Sequence, residues 1–262
     1  MRVATALLPD ANSSQDRIFT TPSAVIVLDG ASAFVPVAVS PSTYVDTLGR
    51  FLVDGLTTDH QIALTDLVKR AIEKTASVLD LRPDTSPSST VAIARQDDDA
   101  LDLLVLGDSQ IATPHGEYVD TRIDSFAQAE RAAYRARLAQ GHGYDETHGQ
   151  LLRALQAEQA RYRNGDDGYW IAAATPAAAS HAISVRMDLA STPWLVLATD
   201  GAYRPMQHHR IDDWEAIAGK DSPELARLLE YLDRWEKDGD PNGAALPRAK
   251  CHDDKAIAAI RW

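Results

Sequence analysis

The chain has 262 residues, 45% of them hydrophobic, and a formal net charge of −12, so it contains enough apolar side chains for a substantial core. The acidic balance argues against nucleic acid and anionic membranes as partners, because binding to both depends on Lys and Arg. The single cysteine, Cys251, excludes an intramolecular disulfide and a cysteine-based zinc site. The sequence shows neither a secretory pattern nor an apolar run of the roughly 20 residues that span a bilayer. We therefore expect a cytoplasmic protein.

The first part of the chain is predicted to contain strands followed by two long helices. Short apolar runs rich in β-branched residues predict the strands, and apolar residues at helical spacing predict the helices. Pro41-Ser42 marks the start of the first helix. In chain order the predicted elements are strand 3–8, strand 24–28, helix 43–56, helix 60–81, strand 90–95 and strand 101–106.

Residues 125–163 differ from their surroundings because they are rich in Ala, Gln, Glu and Arg. This composition favours helix, and Gly141-His142-Gly143 interrupts it, so we predict two helices joined by a loop. The segment is either a mobile insertion near a functional site or a solvated helical hairpin, and its low apolar content favours the solvated hairpin. A further hypothesis is that it acts as a flap that selects substrates.

The rest of the chain returns to strands and then to helices. The predicted elements are strand 168–173, strand 182–187, strand 194–199, helix 212–218, helix 223–236 and strand 256–260. Strands and helices do not alternate along the chain, which favours two sheets packed face to face with helices outside. We predict one domain over residues 1–262, with a helical insertion at about 125–165.

Four aspartate motifs lie at the ends or starts of apolar runs, and they are the main functional signal. A strand delivers its terminal residue to a fixed place, so several such strands can bring carboxylates together. Converged carboxylates repel one another unless a cation lies between them, and oxygen-rich sites suit Mg²⁺ or Mn²⁺ better than Zn²⁺. The motifs are Asp29-Gly30, Gly107-Asp108-Ser109, Thr199-Asp200-Gly201 and Asp253-Asp254.

Together with two further elements, these motifs resemble those of the type 2C family of metal-dependent protein phosphatases, over nearly the whole length of the chain. Two predicted helices separate the second element from the third, as in that family. The resemblance implies an α+β fold, an αββα four-layer sandwich of two mainly antiparallel sheets flanked by helices. The elements are Ser14-Gln15-Asp16, Leu28-Asp29-Gly30, Ser88-Ser89-Thr90, Gly107-Asp108-Ser109, Thr199-Asp200-Gly201 and Asp253-Asp254.

The resemblance also implies a centre of two, or with Asp108 three, Mg²⁺ or Mn²⁺ ions. Asp29 would bridge two ions, Gly30 would offer its carbonyl oxygen, and Asp200 and Asp253 would complete the first metal. Asp16 would act through a water molecule, and Asp108 would help to hold a third ion, as in some bacterial members. The water activated by the ions would attack phosphorus, so Asp29, Asp200 and Asp253 form the expected catalytic set.

The sequence departs from the family pattern where that pattern contacts the substrate phosphate. Gln15 stands in place of a glutamate, and the basic residue that grips the phosphate would fall near Ala11. The nearby arginines are Arg2 and Arg17, and neither is placed at the site by the sequence. Residues 31–33, Ala-Ser-Ala, replace the glycine-containing loop of the family.

We therefore predict a metal-dependent phosphomonoester hydrolase, foremost a protein serine/threonine phosphatase acting on a phosphorylated protein or a small phosphoester. The alternative is a catalytically impaired, phosphatase-like regulator that binds a phosphorylated partner. His252, next to Asp253, is the histidine to test as a general acid. A serine esterase with Ser109 as nucleophile is disfavoured, because the expected aspartate–histidine pair near the C-terminus is missing. The sequence does not specify the oligomeric state.

Overall fold

The strands form two antiparallel sheets in a computed structural model that describes residues 1–34 and 37–262. Each sheet has five strands, in the orders β1-β10-β9-β6-β7 and β2-β3-β4-β5-β8. The strands are β1 Arg2–Leu8, β2 Arg17–Thr20, β3 Ala24–Leu28, β4 Val91–Asp97, β5 Ala100–Leu106, β6 Gln110–Thr113, β7 Gly116–Tyr118, β8 Ile183–Asp188, β9 Trp194–Ala198 and β10 Lys255–Arg261.

Helices lie in three groups along the chain, and polar caps define several of their starts. Ser40 caps the first helix, with Pro41 at its first position, and Asp221 forms a capping box with Glu224 at the last. Within the described ranges, no helix has both the length and the apolar character needed to cross a bilayer. The helices are α1 Pro41–Thr58, α2 Leu64–Val78, α3 Gln128–Ala139, α4 Glu146–Ala160, α5 Asp200–His208, α6 Trp214–Ala218 and α7 Ser222–Arg234.

The two sheets pack against each other through one apolar layer. Val27 of β3 and Val105 of β5 meet Leu197 of β9 and Ala258 of β10 in this layer. All five residues of β3 and all five of β9 are buried, because helices cover the opposite face of each sheet. This arrangement explains why both strands are continuous apolar runs instead of alternating patterns.

Helices cover the outer faces of both sheets. Helices α1 and α2 pack on the face of β3, β4 and β5 that carries Ile26 and Ile93, and α5, α6 and α7 pack on the face of β9 and β10 that carries Val196 and Ile257. The layers therefore follow the order helices, sheet, sheet, helices. This order confirms the predicted αββα sandwich.

The sequence prediction was wrong for one strand and omitted several elements. Residues 168–173 do not form a strand but only isolated bridges, Ala172 with Ser89 and Tyr169 with Arg163. Their apolar side chains are buried, but the segment does not pair along its length with a neighbouring strand. Helix α5 was not predicted, since Gly201 and Pro205 lower its helix propensity. Strands β2, β6 and β7 were also omitted, and each has only three or four residues.

The predicted helical hairpin is present, but it is not merely solvated. Tyr134 and Leu138 of α3 and Leu152 and Leu155 of α4 form a small apolar cluster of their own, and Phe34 packs against it. Phe34 lies in the loop that follows Asp29-Gly30. The hairpin is thus attached to the predicted site by apolar contacts, which corrects the expectation of a solvated insertion.

Gly49 of α1 is a point at which the helix layer lies very close to its sheet. A Cβ at this position would lie 2.0 Å from Cε2 of Phe19 in β2, whereas a Cβ at Gly149 of α4 would meet only the flexible end of Arg153 at 3.4 Å. We expect Gly49→Ala to lower the free energy of unfolding by about 1–3 kcal/mol through overpacking. Gly149→Ala should raise it by about 0.5–1 kcal/mol, since alanine favours helix. Urea unfolding of both variants tests this, and equal effects would contradict the packing described for α1.

Candidate active site

Four of the predicted aspartates are delivered to one edge of the sandwich by strand ends. Asp29 follows β3 and Asp108 follows β5, and these strands end at the same edge of their sheet. In the other sheet Asp200 follows β9 and Asp253 precedes β10, again at one edge. All four side chains line a single cavity of about 560 Å³. The structure therefore brings together residues that are widely separated in sequence.

Gly107 makes the turn that places Asp108 in this cavity. Its φ of +87° lies in the left-handed region that favours glycine, and a Cβ there would lie 2.9 Å from Cγ2 of Thr90. Thr90 in turn hydrogen-bonds the Asp29 backbone N–H through Oγ1, at 3.2 Å. The Gly-Asp-Ser and Asp-Gly motifs are thus coupled through one threonine.

Asp16 and Gly30, the other predicted ligands, lie beside the cavity. Asp16 is only 1% exposed, and its Oδ2 has no hydrogen-bond partner within the part of the chain that the structure describes. Gly30 approaches the preceding motif so closely that a Cβ would lie 2.6 Å from the Gln15 carbonyl oxygen. Asp16 thus supplies a buried, uncompensated oxygen atom, which is the kind of group that a cation stabilises.

The carboxylates at this edge raise one another's pKa values, most clearly at Asp29 and Asp16. Burial raises the pKa of the Asp29 carboxyl well above its usual value, and the charges of Asp16, Asp200, Asp253 and Asp108 raise it further. Burial and the charge of Asp253 raise the pKa of Asp16 in the same way. A divalent cation would relieve both effects, so the donor set fits Mg²⁺ or Mn²⁺.

Two basic side chains already lie among these carboxylates. Nζ of Lys250 is 2.5 Å from Oδ1 of Asp253, and Arg204 contacts both Asp200, at 3.3 Å, and Asp108, at 3.1 Å. The sequence analysis did not identify either residue. Arg204 lies four residues after Asp200, which is one helical turn, so a correct prediction of α5 would have placed both on one face.

A separate cluster near the cavity has the compact geometry that a single metal ion requires. Among the described residues, Asp233, Glu236 and His252 offer three ligand atoms that all lie within 4.8 Å of one another. Glu236 is already bound to Lys255 at 2.6 Å. Within the part of the chain that the structure describes, the predicted aspartates do not form such a compact group.

Gln15 and the loop after Gly30 make contacts that the family comparison did not suggest. The Gln15 backbone N–H donates to Oδ2 of Asp254 at 2.6 Å, and its side-chain oxygen accepts from Ser32 at 2.9 Å. Gln156 of α4 donates to the Ser32 carbonyl at 3.1 Å and accepts from the Phe34 N–H at 3.0 Å. The loop that begins at Asp29 is therefore fastened to the hairpin.

The N-terminal arginines do not reach the cavity. Arg2 donates to the Gly219 carbonyl at 3.2 Å, and Arg17 pairs with Asp46 at 2.6 Å. Cations reach the cavity instead from α3, α5 and the segments that flank the hairpin and precede β10. They are Arg131, Arg135, Arg163, Arg204, Arg248 and Lys250.

Arg135 differs from the other cations of this set. Arg131 pairs with Asp124, Arg248 pairs with Asp240, and Arg163 donates to the backbone carbonyls of residues 83 and 86. Over residues 1–34 and 37–262, no carboxylate lies within 4 Å of the Arg135 guanidinium. Arg135 is thus a half-buried cation at the cavity, and in the described part of the chain it has neither the counterion of Arg131 and Arg248 nor the carbonyl partners of Arg163.

The two remaining candidates from the sequence lie outside the cavity. Nδ1 of His252 is 3.2 Å from Asp233 of α7, and the side chain is 40% exposed. Ser109 is fully buried and shares a hydrogen bond of 2.6 Å with Thr90. Neither position is that of a general acid or of a nucleophile open to the cavity.

No protein-family model and no curated protein matches the sequence, but solved structures match nearly all of the chain. The fold is that of the PPM, or type 2C, serine/threonine phosphatases. MsPP, the PPM Ser-Thr phosphatase from Mycobacterium smegmatis, solved in complex with cacodylate, is 15% identical over 98% of this chain and 97% of its own, with a TM-score of 0.54. The catalytic domain of PstP, solved in complex with two manganese ions, is 16% identical over 98% and 96%, with a TM-score of 0.53. The photosystem II phosphatase PBCP is 13% identical over 99% and 98%, with a TM-score of 0.56.

Asp108 provides a test of the site's electrostatics. Burial, together with the charge of Asp200, raises the pKa of this carboxyl from 3.8 to about 7, although Arg204 acts in the opposite direction. Because the folded state holds this proton more tightly than the unfolded chain, the resulting stability is present below the unfolded pKa and is lost as the pH rises through about 7.

We therefore expect the free energy of unfolding in EDTA to fall between pH 6 and pH 8, with Asp108 contributing about 1 kcal/mol. Asp108→Asn should remove that part of the decrease, since an amide does not titrate. Urea unfolding of both proteins at the two pH values measures the difference. An identical pH dependence would show that Asp108 does not titrate in this range.

Proposed function

We propose that this chain is a metal-dependent phosphomonoester hydrolase of the serine/threonine protein phosphatase type. The convergence of Asp29, Asp108, Asp200 and Asp253 on one cavity is the observation that carries this proposal, together with the buried Asp16, whose Oδ2 has no hydrogen-bond partner among the described residues. The type 2C fold supports it independently of the residues at the site.

Several residues would hold the ions together. Asp29 would be shared by the ions, since the charges of the other carboxylates surround it, and Asp200 and Asp253 would contribute from the ends of β9 and β10. Gly30 would offer its backbone carbonyl, and Asp16 would act through water. Divalent ions bound there would supply a nucleophilic water and offset the negative charge of the phosphate oxygens.

The lining of the cavity supports a phosphorylated protein segment or a small phosphoester as substrate. Residues of the hairpin, such as Tyr134 and Leu155, line the cavity together with the aspartates. We propose that the hairpin acts as a substrate-selecting flap within a single-domain, cytoplasmic enzyme. Arg135 would then contact an acidic residue that flanks the phosphate in the substrate.

The principal test of this function is hydrolysis of p-nitrophenyl phosphate in EDTA, Mg²⁺ or Mn²⁺. We expect turnover only with a divalent ion, and Asp29→Ala should lose at least about a hundredfold in kcat/KM, because this carboxylate is shared by both ions. Asp54→Ala, at an exposed position of α1, is the matched control and should retain wild-type activity. Turnover in EDTA, or full activity of Asp29→Ala, would refute the proposed mechanism.

The second candidate function is a catalytically impaired, phosphatase-like regulator that binds a phosphorylated partner. It is favoured by the basic groups that already pair with the site, Lys250 with Asp253 and Arg204 with Asp200, and by the engagement of the Gln15 side chain with Ser32. Calorimetry separates the two candidates. Protein that binds Mn²⁺ without hydrolysing any phosphoester would be the regulator.

The flap proposal predicts a change of selectivity from one charge reversal. Arg135→Glu should lower kcat/KM for phosphopeptides with acidic flanking residues by about tenfold or more, since one lost ion pair is worth about 1–3 kcal/mol at a partly buried site. Activity on p-nitrophenyl phosphate should change much less. Arg153→Glu, on the exposed part of α4, is the control. Equal losses on both substrates would mean that Arg135 acts on the site itself and not on selectivity.

A further inference from the structure

Arg204 occupies an unusual position between two of the proposed metal-binding carboxylates. Its Nη2 lies 3.1 Å from Oδ2 of Asp108, and its Nε lies 3.3 Å from Oδ2 of Asp200. Nη2 also lies 4.0 Å from Oδ2 of Asp124. Three carboxylates from three segments therefore surround one guanidinium group.

The position of Arg204 is fixed by its helix. Asp200 is the first residue of α5, and Arg204 follows one turn later, so both side chains project from the same face. Asp124 also pairs with Arg131 of α3, at 3.3 Å, which ties the guanidinium indirectly to the hairpin. A planar guanidinium that contacts several carboxylates is held in one orientation more firmly than an ammonium group.

The guanidinium and a metal ion would compete for the same oxygen atoms. A divalent ion between Asp108 and Asp200 would take the same carboxylate oxygens, Oδ2 of each residue, that now pair with Arg204. Two cations cannot share this space without strong repulsion. Among the described residues, the ion pairs of Arg204 are with Asp108, Asp124 and Asp200, and not with Asp29 or Asp253. The position of Arg204 is thus compatible with ions at Asp29 and Asp253 and opposes an ion between Asp108 and Asp200.

We propose that Arg204 is a built-in cation that replaces a third metal ion, so that this chain binds ions at Asp29 and Asp253 but none at Asp108. This inference rests on the proposed two-ion function. In it, Arg204 is a positioning residue that fixes Asp108 and Asp200. On this proposal Asp108 would hold no metal ion, which differs from the expectation from the sequence.

The number of bound Mn²⁺ ions per chain tests this inference without reference to activity. Equilibrium dialysis against millimolar Mn²⁺, followed by elemental analysis, would compare the wild type with Asp108→Asn, Arg204→Gln and the double variant. We expect Asp108→Asn to bind as many ions as the wild type. Arg204→Gln should bind one ion more, and the double variant should lose that additional ion.

The opposite results would overturn the inference. If Asp108→Asn binds one Mn²⁺ ion fewer than the wild type, Asp108 holds metal despite Arg204. This comparison does not require Arg204→Gln to fold. An Arg204→Gln protein that folds but gains no ion would show that the guanidinium excludes none.

These outcomes also separate this inference from the proposed function. A wild-type protein that binds no Mn²⁺ would reject the two-ion function. Even then, an ion gained by Arg204→Gln and lost in the double variant would support the role of Arg204, and no gain would reject it.

Discussion

The repulsion between converged carboxylates is the constraint on which this structure depends. Five aspartates meet at one edge, and burial together with the neighbouring negative charges raises the pKa values of Asp16, Asp29 and Asp108. No single strand could assemble such a group. The sandwich does so because β3 and β5 end, and β9 ends and β10 begins, at the same edge. The packing of the core therefore holds the carboxylates together against their repulsion, and cations are needed to offset that repulsion.

The placement of Asp253 depends on a second, fully buried pair of charges. Lys255, at the start of β10, is 0% exposed and lies 2.6 Å from Glu236, which is 1% exposed. The same ammonium donates to the Asp253 backbone carbonyl at 2.8 Å. Removing one partner of such a pair leaves an uncompensated buried charge, which typically costs about 3–5 kcal/mol. One internal ion pair thus holds the strand that presents Asp253.

Much of the fold could be predicted from the sequence, because buried strands and amphipathic helices carry periodic patterns. The αββα layers are confirmed, and β3 is predicted to the residue. The aspartates could be predicted because they lie at strand ends. Arg204 and Lys250 could not be identified, because the direction in which a basic side chain near an acidic motif points depends on the local backbone, which the sequence alone does not give. The same limit applies to Arg135, whose helix was predicted but whose face toward the cavity depends on packing through Phe34 and Gln156.

The two cations at the site differ in a way that bears on how metal ions could enter it. Lys250 contacts Asp253 with a single ammonium group on a flexible chain of four carbons, and an incoming ion can displace such a group. Arg204 contacts two carboxylates with a planar group on a helix, so its displacement would break a charge-assisted hydrogen bond to Asp108 and an ion pair with Asp200 at once. On our proposal, the side of the cavity near Asp253 therefore opens to ions, whereas the side near Asp108 stays closed to them. The single difference between an ammonium and a guanidinium then decides how many ions the same set of aspartates can hold.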